Sequence, residues 1–549
     1  MNFLILLFLF KMPFYVVQPS INVIGTTVVV SFHKSHKMAM PNIYYFDEND
    51  LLQPGMEIYD PKYLENIWYP DTVDTIFRFQ LNDIKIGHVY HFQLEWTDLV
   101  KGKELSSKGY KFRIIKRGDS LRLGGIIDLG PALGDLTENG ITVFWRTNFP
   151  SYGAVFLKGK GIFKDSTLSR WHRIHLTGLE PRKSYTYHVI STFPEIGDTF
   201  TSRPYRFVLP DPYNFKFAVF GDTRANWKSP GTTRRINGVN VDILRRLAVQ
   251  SLKDNASFIV ILGDLIRGYT EDTNFVKIMY ETWWWALEPV SPFIPIFTVV
   301  GNHDATAPII KTGKHSYIDP PPPYSVEDFW QRYFTNPQNG PENPEDPYTY
   351  KGNVYYFKIG PSIFLILNPD HNYHRKDGKL YGMHIDSIQY RWADSILNTI
   401  RVPYKFLMWH EPLIATGGHR GSCLDLYPDA RDSVAALLLN HGITTIFNAH
   451  EHIYARVWID PHMDFIRKSK IIKKLASKSD FTGFYEIITG GGGAPASKKP
   501  EHLPDYVKKY STENHYVLGN VTPHGVKFTV KNIFGWPIDS FGKIWYNSK

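Results

Sequence analysis

Apolar positions in the second half of the chain gather into short unbroken runs at 217–220, 258–262, 297–300, 406–409 and 443–447. Runs of Val, Ile, Phe and Leu without alternation predict strands buried on both faces of a sheet. Between the first two runs, Ile243, Leu244, Leu247, Ala248 and Leu252 fall on one helical face. They predict a helix over 241–253, the crossover that a pair of parallel strands requires. The first 210 residues read differently, as alternating apolar and polar positions between Gly and Pro turn signals, the pattern of half-buried strands. Phe79-x-Leu81-x-x-Ile84, Tyr90-x-Phe92 and Tyr110-x-Phe112 recur as Ile174-x-Leu176-x-x-Leu179, Tyr185-x-Tyr187 and Tyr205-x-Phe207, each offset by 95 residues. That period is too long for a solenoid unit and suits one small β-sandwich, so two tandem sandwiches are expected.

Each of the five buried runs leads into side chains that bind metals. The sequences are Gly221-Asp222, Gly263-Asp264, Gly301-Asn302-His303-Asp304, Trp409-His410 and Asn448-Ala449-His450-Glu451-His452. Gly-Asp after one strand is ordinary turn chemistry. Five such junctions, at the strand ends where an open α/β sheet gathers its ligand loops, predict one site. Two cations sharing a carboxylate can clamp a phosphate for in-line attack. Asp264 is the candidate bridge, with Asp222 and His452 completing one metal and Asn302, His410 and His450 holding the other.

Composition narrows the metal. The chain has 549 residues and one cysteine, Cys423, so neither an intrachain disulfide nor a thiolate-rich zinc site can form. Oxygen and imidazole donors suit iron, manganese or zinc. Apolar residues at 43% and aromatics at 15% predict a globular chain of two to four domains rather than a disordered one. A formal charge of +9 favours anionic ligands but is modest for this length and argues for no nucleic-acid partner. Arg467, Lys468, Lys470, Lys473, Lys474 and Lys478 are either a solvated face or an electrostatic lip for phosphorylated substrate. Residues 1–17 contain the apolar core of a signal peptide without a preceding basic residue or a small-x-small cleavage site. Both export, to a secreted or cell-surface location, and a buried first strand in a cytoplasmic protein stay open. No segment is long enough to span a membrane.

The order Gly-Asp, Gly-Asp, Gly-Asn-His-Asp, isolated His, then His-x-His resembles the calcineurin-like metallophosphoesterase superfamily. The sandwich before it resembles the purple acid phosphatase branch, and strand 143–145 with Leu176-Thr177-Gly178-Leu179-Glu180-Pro181 resembles a fibronectin type III domain. The resemblance covers about residues 120–549 and includes Tyr355-Tyr356-Phe357, Gln389-x-x-Trp392 and 488–494. The expected organisation is a divergent fibronectin type III-like sandwich at 18–117, a second sandwich at 120–210, and an αββα metallophosphoesterase domain of two face-to-face sheets at 213–549. The resemblance implies a dinuclear enzyme (Fe, Mn or Zn) that hydrolyses phosphomonoesters by attack of a metal-bridging hydroxide. It also implies that His303 assists the leaving oxygen while Asp304 orients its imidazole and raises its pKa.

Two positions depart from the family pattern. Arg224 stands where His or Gly is usual, and Arg267 where the purple branch has an iron-bound tyrosinate; Tyr269 comes two residues too late. One metal is thereby left with Asp222, Asp264 and His452 as protein ligands, and no purple colour is expected. Arg224 and Arg267 either grip phosphate oxygens or form structural ion pairs. His419 and Tyr454 are further candidates for substrate contact, whereas 490–493 is a close-packing glycine run rather than a phosphate loop. The rival readings are a phosphodiesterase on cyclic nucleotides or nucleic acid, and a surface binding protein with a degenerate phosphatase domain.

Overall fold

The computed structural model describes residues 18–33, 38–50, 66–68, 71–73, 76–81, 83–99, 102–225, 235–268, 272–305, 326–342, 349–371, 383–443, 445–476 and 483–544. The apolar N-terminal segment, Lys478 and Tyr269 lie outside them. The chain forms two compact units, 1–126 and 127–549. Among the described residues, no helix is long and apolar enough to cross a membrane.

The first unit is a β-sandwich. One sheet joins Ser20–Ile24, Thr27–His33, Ile76–Leu81 and Asp71–Val73. The other is built around Val89–Asp98, paired with Met38–Asp47, Tyr110–Arg117 and Lys103–Ser106. Val30, Phe32, Phe79, Phe92, Leu94 and Phe112 alternate inward and meet in its core, as period-two strands require.

The second unit begins with the other copy of the repeat, whose 17-residue strand Ile141–Leu157 changes partner along its length. Residues near Ile141 pair with Ile127–Gly134, and residues near Leu157 with Ser184–Phe193, across register shifts between Arg146 and Gly153. A bulged strand that changes partner in this way is how sheets turn a corner. The 95-residue repeat extends to individual hydrogen bonds. The Tyr90 hydroxyl accepts from the Lys85 N–H (3.0 Å) and the Tyr185 hydroxyl from the Glu180 N–H (2.8 Å). Likewise, Ser107 Oγ accepts from Leu94 N–H and Ser202 Oγ from Val189 N–H, both at 3.0 Å. In each copy a tyrosine pins the turn five residues upstream, in the manner of a tyrosine corner.

The rest of the second unit is α/β. One sheet runs in the order Ile296–Thr298, Phe258–Ile261, Phe215–Phe220, His515–Thr522, Gly525–Asn532, Pro537–Ile544, and its first three strands are parallel. The facing sheet has Ser362–Ile366, Tyr404–Met408, Thr445–Asn448 and Phe484–Thr489 as a parallel centre. Phe217 stands between the sheets and touches the rings of Phe258, Phe364, Phe406, Phe447 and Phe528. The aromatic core continues into the β-module before it, through Val143, Trp145, Tyr187 and Phe207. Helix Val241–Lys253 forms over the expected residues, capped by the Asn240 side chain. Helix Thr273–Leu287 buries Trp283, Trp284 and Trp285. On the other sheet, Ser387–Thr399 and Pro428–Asn440 contribute to a second core. The strands are therefore covered on both faces, which explains why they read as continuous apolar runs.

Candidate metal centre

All five ligand-bearing clusters follow the carboxyl ends of parallel strands, as the sequence order predicts. The backbone turns sharply there. Asp222, Asp264 and His450 have φ of 60°, 52° and 64°, left-handed values that Asp and His adopt more readily than most residues but at some strain. Gly263, with φ 81°, precedes one of these turns, and a Cβ on it would stand 2.7 Å from Gly301 N and 2.8 Å from His410 Nδ1. Strain and close approach gather the five loops to one point. The glycine run packs against the same point, since a Cβ on Gly490 would collide with Asp222 and the Glu451 backbone.

Two groups of donors result. Asp222, Asp264 and His452 offer ligand atoms that all lie within 4.8 Å of one another, the set expected for one metal. On the other side, His450 Nδ1 is 3.0 Å from Asn302 Oδ1, and His410 Nε2 is 3.3 Å from Asp264 Oδ1. Asp264 stands between them, also accepting from the His303 N–H at Oδ1 (2.9 Å). The hydrogen bonds of the imidazoles fix their tautomers: His410 Nδ1 donates to the Leu262 carbonyl (2.6 Å) and His452 Nδ1 to that of Pro495 (2.7 Å). Each therefore turns a lone pair at Nε2 toward the carboxylates.

The donors fit a cation. Both oxygens of Asp222, His410 Nε2 and His450 Nε2 are buried without a hydrogen bond, a costly state that an ion among hard oxygen and imidazole donors would relieve. Burial opposes charge on Asp264, yet His303, His410 and Arg224 hold its carboxyl well below the usual range. Burial pushes Asp222 well up. Burial, then the Arg224 guanidinium, brings His452 down to about 3, so its imidazole is neutral and Nε2 carries a lone pair.

The residues expected to act around the metals divide into those the structure brings to the site and those it does not. His303 lies beside the bridge, with Nε2 3.8 Å from Asp264 Oδ2. Its Nδ1 donates to the Arg267 carbonyl (2.6 Å), and the Arg267 side chain reaches to within 3.3 Å of the same ring. Asp304 does not orient that imidazole. Its Oδ2 accepts from the Gly301 (3.1 Å) and Leu265 (3.2 Å) N–H groups, because consecutive residues of the short helix Asn302–Ala305 face different ways. Burial and then Arg224 lower the His303 pKa well below the usual value, opposite to the expected direction. His419 reaches the site, its ring 4.4 Å from that of His450 and 5.9 Å from that of His452. Tyr454 does not: it opens strand Tyr454–Ile459 in the inter-sheet core, and its hydroxyl donates to Asp539 (2.8 Å).

Three acids had no role in the sequence reading. Glu411, next to His410, brings a ligand atom within 4.8 Å of those of His410 and His450, and neither of its oxygens has a hydrogen bond. Asp370 is buried nearby; burial raises the pKa of both acids, and Asp370 raises that of Glu411 further, whereas Glu411 lowers that of Asp370. A carboxylate inside an apolar run at a strand end was the readable signal. Glu451, between the two histidines of His-x-His, accepts from Thr416 N–H and Oγ (both 2.8 Å), Gly417 N–H (2.6 Å) and His419 N–H (3.4 Å). It ties the His419 loop to the metal-ligand loop. Glu451→Ala is expected to lower stability by about 3 kcal/mol, since several buried donors lose a charged acceptor. Glu451→Gln should recover less than half of this, because its NH₂ would face donors; thermal unfolding of both variants checks the ordering.

The sequence profile of the calcineurin-like phosphoesterase family matches residues 215–454. The purple acid phosphatase PPD1 from yellow lupin (Lupinus luteus) seeds is similar in structure at 16% identity. The match covers 94% of this chain and 92% of that one, with a TM-score of 0.58. GAP50, the anchor in the inner membrane complex of Plasmodium, matches at 13% identity over 61% of this chain and 90% of that one, with a TM-score of 0.38. A dimetal phosphatase from Danio rerio matches at 14% identity over 61% and 100%, also with a TM-score of 0.38. No curated protein sequence matches the chain. Profile, fold and donor set agree: residues 215–454 match the calcineurin-like phosphoesterase family, their buried donors fit a metal centre, and the chain shares the fold of a purple acid phosphatase.

Proposed function

We propose that the chain hydrolyses small phosphomonoesters at this centre. The observation that carries the reading is Asp264, whose carboxylate is shared between Asp222 with His452 on one side and His410 with the Asn302–His450 pair on the other. In the two-ion form expected from the sequence, Asp222, Asp264 and His452 would hold one cation, and Asn302, His410 and His450, with Asp264, the other. Bound divalent cations supply charge stabilisation on the phosphoryl oxygens and acidify water at neutral pH.

The chain's own residues supply the rest. His303 presents Nε2 as an acceptor, because Nδ1 is committed to Arg267. It can take the proton that a monoester monoanion carries and return it to the departing oxygen. Arg224 and Arg267 add fixed positive charge near His303. That surplus suits a terminal phosphate, which carries up to two negative charges, better than a diester, which carries one.

The metal-reconstituted chain is expected to turn over para-nitrophenyl phosphate at least about tenfold faster than bis-para-nitrophenyl phosphate, the scale of one lost charge-assisted contact. A preference for the diester would replace this reading with the phosphodiesterase one. Turnover of neither ester would favour a binding role.

A further inference from the structure

The donor group of Asp222, Asp264 and His452 already contains a cation. Arg224 Nε donates to Asp264 Oδ2 at 2.9 Å, and its Nη2 donates to His452 Nε2 at 3.0 Å. These are the oxygen and the lone pair that a metal in this half of the site would use. We propose that Arg224 takes the place of one metal, so that the centre holds a single exchangeable divalent ion on the side of Asn302, His410 and His450, facing a guanidinium across Asp264. The inference deepens the phosphomonoesterase reading and rests on it for its consequence in catalysis.

Position, anchoring and charge each support the substitution. The backbone at Arg224 is held from three directions. The Arg224 N–H donates to the Asp264 carbonyl (3.1 Å), and the residue forms a β-bridge with Val239. Thr223 Oγ, immediately before it, donates to the Leu265 carbonyl (3.0 Å) and accepts from Trp283 Nε1 (3.1 Å). Only 9% of Arg224 is exposed, so the side chain has little open solvent to retreat into. His452 is prepared for this neighbour, because its Nδ1–H is spent on Pro495 and Nε2 can only accept.

A metal bound to Asp264 Oδ2 and His452 Nε2 would need both atoms at about 2.0–2.2 Å, inside the space that the guanidinium nitrogens approach. Guanidinium cannot deprotonate to make room and cannot itself ligate a metal. The formal charges agree. Three carboxylates, Asp222, Asp264 and Glu411, face one guanidinium, so a single divalent ion brings the formal charges into balance. A second divalent ion would add two uncompensated positive charges to a buried cluster. On the other side, His410 Nε2 and His450 Nε2 are buried without a hydrogen bond, the state that a bound ion would relieve. The phosphate clamp would then be one metal ion and one arginine fork, with Arg224 supplying the fixed charge that the second ion supplies elsewhere.

Metal stoichiometry tests this without reference to turnover. The full chain is saturated with Mn(II), exchanged into metal-free buffer, and analysed by native mass spectrometry and elemental analysis. One ion per chain is expected. Arg224→Gly should bind two. In the wild-type background His450→Ala should lose the ion, whereas His452→Ala should keep one, and this pair decides the placement even if the glycine variant does not fold. Two ions on the wild-type chain, or loss of the ion in His452→Ala but not in His450→Ala, would overturn the inference and leave the phosphoesterase reading standing. No bound ion in a folded wild-type chain would overturn both.

Discussion

Asp264→Asn is expected to lower phosphomonoester hydrolysis by at least about 10³-fold, or about 4 kcal/mol of transition-state stabilisation. The side chain keeps its shape, but Arg224 and the His303 N–H bond different oxygens of Asp264, so the single amide oxygen can keep only one of the two bonds. It also loses the negative charge that His303, His410 and Arg224 surround. An ion on the Asn302–His450 side would then have an amide where it had a carboxylate, and His410 would lose the first of the charges that raise its pKa. Metal retention should fall with activity. Circular dichroism and thermal unfolding separate this from misfolding, because a variant with native secondary structure that neither holds manganese nor turns over ester has lost the centre alone.

His303→Ala should have the second largest effect, and its size should depend on the leaving group. General acid–base assistance is worth about 10²–10⁴-fold where the departing oxygen needs a proton, and far less where it does not. An alkyl phosphate should therefore lose activity toward the upper end of that range, and para-nitrophenyl phosphate much less. The ring stands 3.8 Å from Asp264, beyond hydrogen-bond distance, so metal content should stay close to wild type. Equal losses on both esters would assign His303 to substrate binding or to the architecture of the loop. The restraint on its imidazole comes from the Arg267 carbonyl, a backbone group. Asp304→Asn should consequently act through the Gly301 and Leu265 N–H groups, as a loss of stability rather than a change in leaving-group dependence.

Much of this centre was legible because buried parallel strands leave an unmistakable trace. The run at 217–220 is apolar because Phe217 meets rings from both sheets, and the residues after such a run must lie at the sheet's carboxyl edge. The 95-residue repeat was equally legible, since Tyr90 and Tyr185 each hold the same turn. The misreadings share a cause: adjacency in sequence was taken for adjacency in space. Tyr454 follows His452 by two residues, yet a strand begins there and carries it between the sheets toward Asp539. Asp304 adjoins His303, but a helical turn points them apart. The course of Arg224 could not be read at all. An arginine two residues after a ligand can face solvent, substrate or the ligands, and here the β-bridge to Val239 and the contacts of Thr223 aim it at Asp264 and His452. Glu411 and Asp370 escaped because an acid within a buried run says nothing of which way it points until the second sheet is in place.

The most direct test of the account compares the full-length wild-type chain with Asp264→Asn, each reconstituted with manganese or zinc, in release of phosphate from para-nitrophenyl phosphate with and without chelator. The predicted result is turnover by the wild-type chain that chelation abolishes and metal restores, with the variant inactive under every condition. Turnover that survives both chelation and the loss of Asp264 would contradict it.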